Sequence, residues 1–388
     1  MPATASTIWC NDMKVTLTFP ACNRLGGIER VMLESANYFA ACGDDVAVVA
    51  ADWPANPDEL SSAVQRIQLN DLPRGNLGRI IKFQSAVRRV SKRSDSIYLG
   101  YGVQTMPDGI PWATSVHRSW LEYTGSTRRG VSKLRQGLNP FHYLVSYMER
   151  EMYANRRFRH VVGLTSQVKS DLQRFYGCLD SDISVVPNGY NPREFNPETA
   201  KREGLLWRKS LNIRSNAPVV SFVANEIDRK GLPVLLKALA CKELLDVHLV
   251  AAGRFSIEVA TKLADQAGVI DRCHFIGSQP QLAGVYGVSD LFVLPTQYEA
   301  WGLVVLEALA CGVPVITTDI AGASVAVTNG FSGQLCAPNV NQLDLANLVS
   351  SWIRRDDVEH ERISDSVTDY RWDNVLHLYR KIILDVTS

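Results

Sequence analysis

Residues 291–318, LFVLPTQYEAWGLVVLEALACGVPVITT, decide how this chain is to be read. The apolar run 291–294 predicts a buried strand, and Pro295 ends it. A short polar loop carrying Glu299 follows, then a helix from about 302 to 311 and a second strand over 313–317. That order is a β-loop-α-β unit. Its loop leaves the carboxyl end of a strand, where open α/β sheets hold their ligands, and it opens into a helix N-terminus whose unpaired N–H groups suit an anion. Gly302 lets a backbone amide approach a ligand with no side chain in the way, while Gly312 and Pro314 stop the helix. Glu299 and Glu307 are eight positions apart, so one sits in the loop and the other within about two turns of the helix. Both can face one cleft.

Outward from this unit the chain repeats the same grammar. At 388 residues it divides naturally into two α/β domains of about 180 residues each. In the first half, 14–19 (KVTLTF) predicts a strand, Gly26 and Gly27 a turn beside a ligand, 28–42 a helix and 45–50 (DVAVVA) the next strand. In the second half, 219–224 (VVSFVA) opens another sheet. Arg229 and Lys230 follow it at the start of a helix, where their charges can neutralise a pyrophosphate or simply be solvated. The strand 248–252 runs to Gly253, a strand-end glycine. His117 follows a predicted strand over 112–116 and can lie over a ligand; a solitary histidine is otherwise structural. The run 187–197 (PNGYNPREFNP) predicts a hinge.

Composition narrows the function classes. Forty-one basic and 40 acidic residues leave a net charge of +1, so no global field draws in nucleic acid. No run of about 18 apolar residues occurs, and the first twelve residues lack a charged-then-apolar signal pattern. A cytoplasmic protein is expected, and Met13 is a candidate internal start. Eight single cysteines without a CxxC predict reduced thiols rather than zinc ligands or disulfides. Asp180-Ser181-Asp182 has the spacing of a metal-binding DxD but lies in a turn before a strand at the end of its domain. Two stretches, 74–93 and 128–147, are locally basic with interleaved apolar or aromatic residues. Each reads as an ordinary helix with solvated charges, or as peripheral contact with an anionic membrane, on the inner face.

The run E-A-W-G-L-x3-E-A-L-A-C-G-V-P-V from Glu299 resembles the E-x7-E signature of retaining glycosyltransferases of family 4 (glycosyl transferases group 1). GGIERV after the first strand, VVPNG before the hinge and the RKG triplet at 229–231 are similar to that family's patterns, the last to its lipopolysaccharide core glucosyltransferase subgroup. Departures occur at Asn225, where an Arg is common, at Tyr190-Asn191 in place of Val-Asp, and at Val325 in place of a Glu.

The resemblance implies the GT-B fold: two facing Rossmann-like domains with parallel sheets and an inter-domain cleft. Residues 1–189 would form the N-terminal acceptor-side domain and 190–370 the nucleotide-sugar-binding one, with a C-terminal helix 371–388 crossing back onto the first. It further implies transfer of a hexose from a nucleotide-diphosphate sugar, a UDP-sugar favoured, to a lipid-linked or envelope glycan such as lipopolysaccharide, with no metal or other cofactor. The implied catalytic residues are His117, Arg229, Lys230 and Glu299. Gly26, Gly27, Gly253, Ile276, Trp301, Gly302, Leu303 and Glu307 would bind the donor: Ile276 by bracketing the base, Glu307 by accepting from the ribose diol. Two other readings keep the site but change the outcome: a sugar-nucleotide epimerase, and a non-catalytic nucleotide-sugar-binding subunit. A dehydrogenase lacks its dinucleotide fingerprint.

Overall fold

A computed structural model describes residues 13–24, 26–73, 75–91, 95–103, 106–127 and 135–387. The chain divides into two compact units, residues 1–187 with 373–388, and residues 188–372.

The first unit is built on seven strands in the order β3-β2-β1-β4-β5-β6-β7. They are β1 Lys14–Thr18, β2 Asp45–Ala50, β3 Gln65–Gln68, β4 Ile97–Tyr101, β5 Ile110–Ala113, β6 Val161–Gly163 and β7 Ile183–Val185. Every pairing is parallel. The strand order reverses between β1 and β4, which leaves a crevice beyond their carboxyl ends. Burial explains why β1, β4 and β5 read as nearly continuous apolar runs rather than alternating ones, since helices cover both faces of such a sheet.

The helix Trp372–Thr387 completes this unit. Tyr379 is fully buried with its ring centroid 4.6 Å from Trp112 and 5.8 Å from Phe39. Beside it Arg380 donates to both carboxylate oxygens of Asp44, at 2.9 and 2.7 Å. Asp44 also accepts the Met13 amide, so this buried carboxylate has three donors.

The second unit carries six parallel strands in the order β10-β9-β8-β11-β12-β13. These are β8 Val219–Val223, β9 His248–Ala252, β10 Cys273–Gly277, β11 Leu291–Leu294, β12 Val315–Thr318 and β13 Gly333–Cys336. Here the order reverses between β8 and β11. The α/β class with two parallel, Rossmann-like sheets expected from the sequence is the one found. At the hinge, Tyr190 and Trp372 exchange backbone hydrogen bonds with Tyr370 and Tyr190, which ties the two ends of the unit together. Gly189 belongs there for want of room, because a Cβ would stand 2.8 Å from the Tyr370 carbonyl oxygen.

Candidate functional site

The strongest candidate lies at the β8/β11 reversal. Beyond β8, residues 224–231 lead into the helix Leu232–Leu239; beyond β11, residues 295–302 lead into the helix Leu303–Ala310. The two loops interlock through backbone: the Gln297 amide donates to the Arg229 carbonyl at 2.9 Å, and Gly231, at φ +86°, packs so tightly on Pro295 that a Cβ would meet its oxygen at 2.3 Å. Gly302, at φ +92°, turns the chain into the second helix with a conformation a side chain would oppose. Leu303 and Val304 thus stand at the helix start, where an amide has no intrahelical acceptor, while the Val305 amide turns back to the Gly302 carbonyl at 2.9 Å.

Side chains gather there unequally. Lys230 and Glu299 form an ion pair with both side chains largely buried. Burial and the adjacent Arg229 guanidinium lower the Lys230 ammonium to about 7, while Glu226 acts in the opposite sense. The Glu299 carboxylate in direct contact adds to the charge-favouring side. Arg229 is committed differently. Its guanidinium grips Glu226 at 3.0 and 2.9 Å and donates to the Tyr298 carbonyl at 2.5 Å, so it pins the loop that presents Glu299. Lys230 and Arg229, adjacent in the chain, therefore take different partners, Glu299 for one and Glu226 with the Tyr298 carbonyl for the other, a division invisible in the triplet itself.

Glu307 is buried on the second turn of its helix and accepts the Tyr286 hydroxyl at 2.7 Å. Trp301 is buried as well. Its carbonyl accepts the Ala323 amide at 2.8 Å, and its indole Nε1–H finds no acceptor among the described residues. Gly253 directly follows β9, and Ile276 is the last residue but one of its neighbour β10. At Gly253 the glycine has a packing reason of its own: a Cβ would stand 1.7 Å from the Ala224 oxygen. Ile276 sits where the β10/β9 register slips, so its backbone leaves the regular ladder, and Gln279 caps its carbonyl at 2.6 Å. Asn225, where the missing Arg would stand, accepts the Arg254 amide at 2.9 Å and so fixes the loop after Gly253.

In the first unit, Gly26 caps and Gly27 begins the helix Gly27–Ala41, with the Glu29 carboxylate folded against Gly26. His117 requires a correction. It does not directly follow a strand over 112–116, because β5 runs Ile110–Ala113 and His117 is the first residue of the helix His117–Thr127. Its amide donates to Glu149 at 2.6 Å, and Tyr176 donates to the other oxygen of that buried carboxylate. The imidazole stacks on Trp120 and lies 3.2 Å, Nε2 to Nδ1, from His142. Burial first, and His142 second, lower His117 to about 4, so it is neutral at physiological pH. His142 had no signal in the sequence, where PFHYL reads as any helix start.

Asp180 pairs with Lys169 and Asp182 with Arg156, so the DxD spacing serves surface ion pairs. Among the described residues no group of three His, Cys, Asp or Glu is placed to hold a metal ion. Of the basic stretches, Arg74, Lys92, Arg93, Arg128, Arg129 and Lys133 lie outside the described residues. Within 74–93 the apolar residues Ile80, Phe83 and Val87 face the core, as in the reading of an ordinary helix; Ile81 remains exposed beside Lys82. Within 128–147, by contrast, Leu138, Tyr143 and Tyr147 are all exposed.

Residues 205–366 match the family described as Glycosyl transferases group 1, and residues 25–194 match Glycosyltransferase Family 4. The chain is 34% identical over 347 residues to the D-inositol 3-phosphate glycosyltransferase of Rhodococcus erythropolis, covering 82% of this chain and 77% of that one. A match to the Corynebacterium jeikeium protein of the same name is 35% identical but spans only 43% of it. The lipopolysaccharide glucosyltransferase WaaG of Escherichia coli is 23% identical over 82% of this chain and 84% of its own. The crystal structure of WaaG superposes with a TM-score of 0.79 at 20% identity, over 95% of this chain and 99% of that one. With one sequence relative above 30% identity along most of its length and a solved neighbour sharing both sheets, the chain belongs to the group 1, family 4 glycosyltransferases and has their GT-B fold.

Proposed function

We propose that this glycosyltransferase moves a hexose from a nucleotide-diphosphate sugar, a UDP-sugar by preference, to a lipid-linked or envelope glycan, with retention of configuration and without a metal. The observation that carries the reading is the Lys230–Glu299 pair lying in front of the helix opened by Gly302, at the β8/β11 reversal. Departure of the diphosphate concentrates negative charge on the leaving group and leaves an oxocarbenium-like sugar, so fixed cations and dipoles are needed at that point. Lys230 and the amides at the helix start supply them, Arg229 holds the loop, and Glu299 takes sugar hydroxyls. Glu307 accepts from the ribose, and the end of β10 around Ile276 borders the base. The C1–phosphate oxygen bond breaks and the acceptor oxygen–C1 bond forms on the same face; the acceptor proton passes to the leaving phosphate. A neutral His117 suits polarising or orienting a hydroxyl rather than attacking.

No helix among the described residues is long and apolar enough to cross a membrane. Exposed Tyr143 and Tyr147 with Leu138, Arg135 and Arg150 support peripheral docking on the inner face of the membrane. The 34% identity to a D-inositol 3-phosphate glycosyltransferase favours a second acceptor class, a small phosphorylated polyol. Radiolabelled UDP-, GDP- and ADP-sugars offered with a glycolipid extract, and separately with inositol phosphate, decide between them. Label in neither acceptor, or activity abolished by EDTA and restored only by Mn²⁺ or Mg²⁺, would overturn the corresponding part.

A further inference from the structure

We propose that Tyr286 is the positioning residue for nucleotide recognition, holding the Glu307 carboxylate in the orientation that accepts from the ribose diol. The inference rests on the ribose reading of Glu307 and adds a residue to it. Tyr286 is fully buried on the short helix Ala283–Gly287, and its hydroxyl donates to Glu307 Oε2 at 2.7 Å. Its ring meets Phe292 of β11 edge-on, centroids 5.6 Å apart, and Phe195 likewise at 6.1 Å. Aromatic packing on both sides fixes where the hydroxyl points.

The helix itself cannot shift. It lies against the helix Pro197–Ser210 at backbone contact: a Cβ on Gly287 would stand 1.8 Å from the Ala200 oxygen, one on Gly204 2.1 Å from the Gly287 oxygen, and one on Gly284 2.7 Å from the Trp207 ring. Sequence glycines at these positions therefore serve close packing, and that packing sets the hydroxyl on the carboxylate. A Glu side chain has three rotatable bonds and so rotamer freedom to lose on binding. Tyr286 removes much of it before the nucleotide arrives, which is preorganisation of a binding group.

Calorimetry with whichever of UDP, GDP and ADP the wild type binds best, and with its 2′-deoxy counterpart, tests this in the full chain. Tyr286→Phe keeps the ring and removes only the hydroxyl. The expected result is a loss of about tenfold in affinity for the ribonucleotide, by analogy with removal of one hydrogen bond to a charged group. The 2′-deoxy nucleotide should lose less than about half as much in free-energy terms, because the diol contact is already incomplete. KM for the donor should rise with kcat near wild type. In a Glu307→Ala background, Tyr286→Phe should change affinity no further. Equal losses for both nucleotides, or a full additional loss in the double variant, would overturn the role of Tyr286 and leave the ribose reading standing. A wild type that does not distinguish ribo- from 2′-deoxynucleotide would overturn both.

Discussion

Lys230 and Glu299 neutralise each other, with side chains only 12% and 14% exposed. Each has another partner in the proposed donor complex, phosphate for one and sugar hydroxyls for the other. Donor binding therefore exchanges one set of charge contacts for another rather than filling an empty pair. Glu299→Gln should release Lys230: nucleoside diphosphate affinity rises severalfold while turnover falls at least about a hundredfold, in the range for loss of a transition-state contact. Calorimetry beside initial rates reads both, and weaker diphosphate binding in the variant would sink the exchange.

The lowered Lys230 ammonium gives that site a pH signature. Burial and the neighbouring Arg229 bring the loss of this cation down from the ordinary lysine range toward neutrality, with the Glu299 contact opposing that loss, and an arriving diphosphate restores the proton wherever it has gone. Nucleoside diphosphate affinity should fall as pH rises from 7 to 9, with proton uptake on binding visible in buffers of different ionisation enthalpy. Lys230→Arg stays charged throughout and should flatten the profile. A profile identical in both proteins would assign the dependence elsewhere.

His117 is expected to titrate near 4 by NMR, well below an ordinary histidine, and His142→Gln should move it upward by removing one of its two causes. A folded value below the unfolded one means the unfolded chain binds the proton more readily, so His117 costs stability as pH falls from about 6.5 through 4. His117→Gln should make acid unfolding less steep over that window, and an unchanged slope would contradict the burial assigned to this ring.

Arg380 and Asp44 join the C-terminal helix to the loop before β2. Arg380→Ala leaves a buried carboxylate without its cation and should destabilise the first unit by about 3–5 kcal/mol, measured by urea unfolding. Replacing both partners together, Asp44→Asn with Arg380→Met, should recover much of that loss. Equal destabilisation by the single and double variants would mean the helix is held by Tyr379 alone.

Membrane docking predicts salt-sensitive binding to vesicles containing phosphatidylglycerol, because the screening length shortens from about 10 Å at 0.1 M to about 3 Å at 1 M. Tyr143→Ser with Tyr147→Ser should reduce sedimentation with such vesicles and leave neutral vesicles unbound as before. Equal binding to both vesicle types, or none to either, would move the acceptor toward a soluble one.

The chain's local signals carried far. Residues 291–318 were legible as a β-loop-α-β unit because each boundary is marked by a residue with one dominant local effect: Pro295, Gly302, Gly312. Even there the second strand begins at Val315, not at 313, since the Gly312 and Val313 amides turn back to the Leu309 and Ala308 carbonyls of the helix. The basic stretch 74–93 was ambiguous because helical periodicity marks an apolar face without saying what covers it, and the hydrophobic cluster with Val49 decided that.

By itself, then, the sequence determined the α/β class, the loops that end at strands, and the residue types able to meet a diphosphate and a sugar. Only the tertiary structure decided their partners. Arg229 reaches the Tyr298 carbonyl across 69 positions, Tyr286 meets Glu307 across 21, His142 meets His117 across 25, and Arg380 meets Asp44 across 336. Turn and cap preferences act between residues a few positions apart, so they are written along the chain. A charge's partner, a ring's burial and a carboxylate's orientation depend on which elements pack together, and that is set by the sum of many contacts over the whole sheet rather than by any short run of residues.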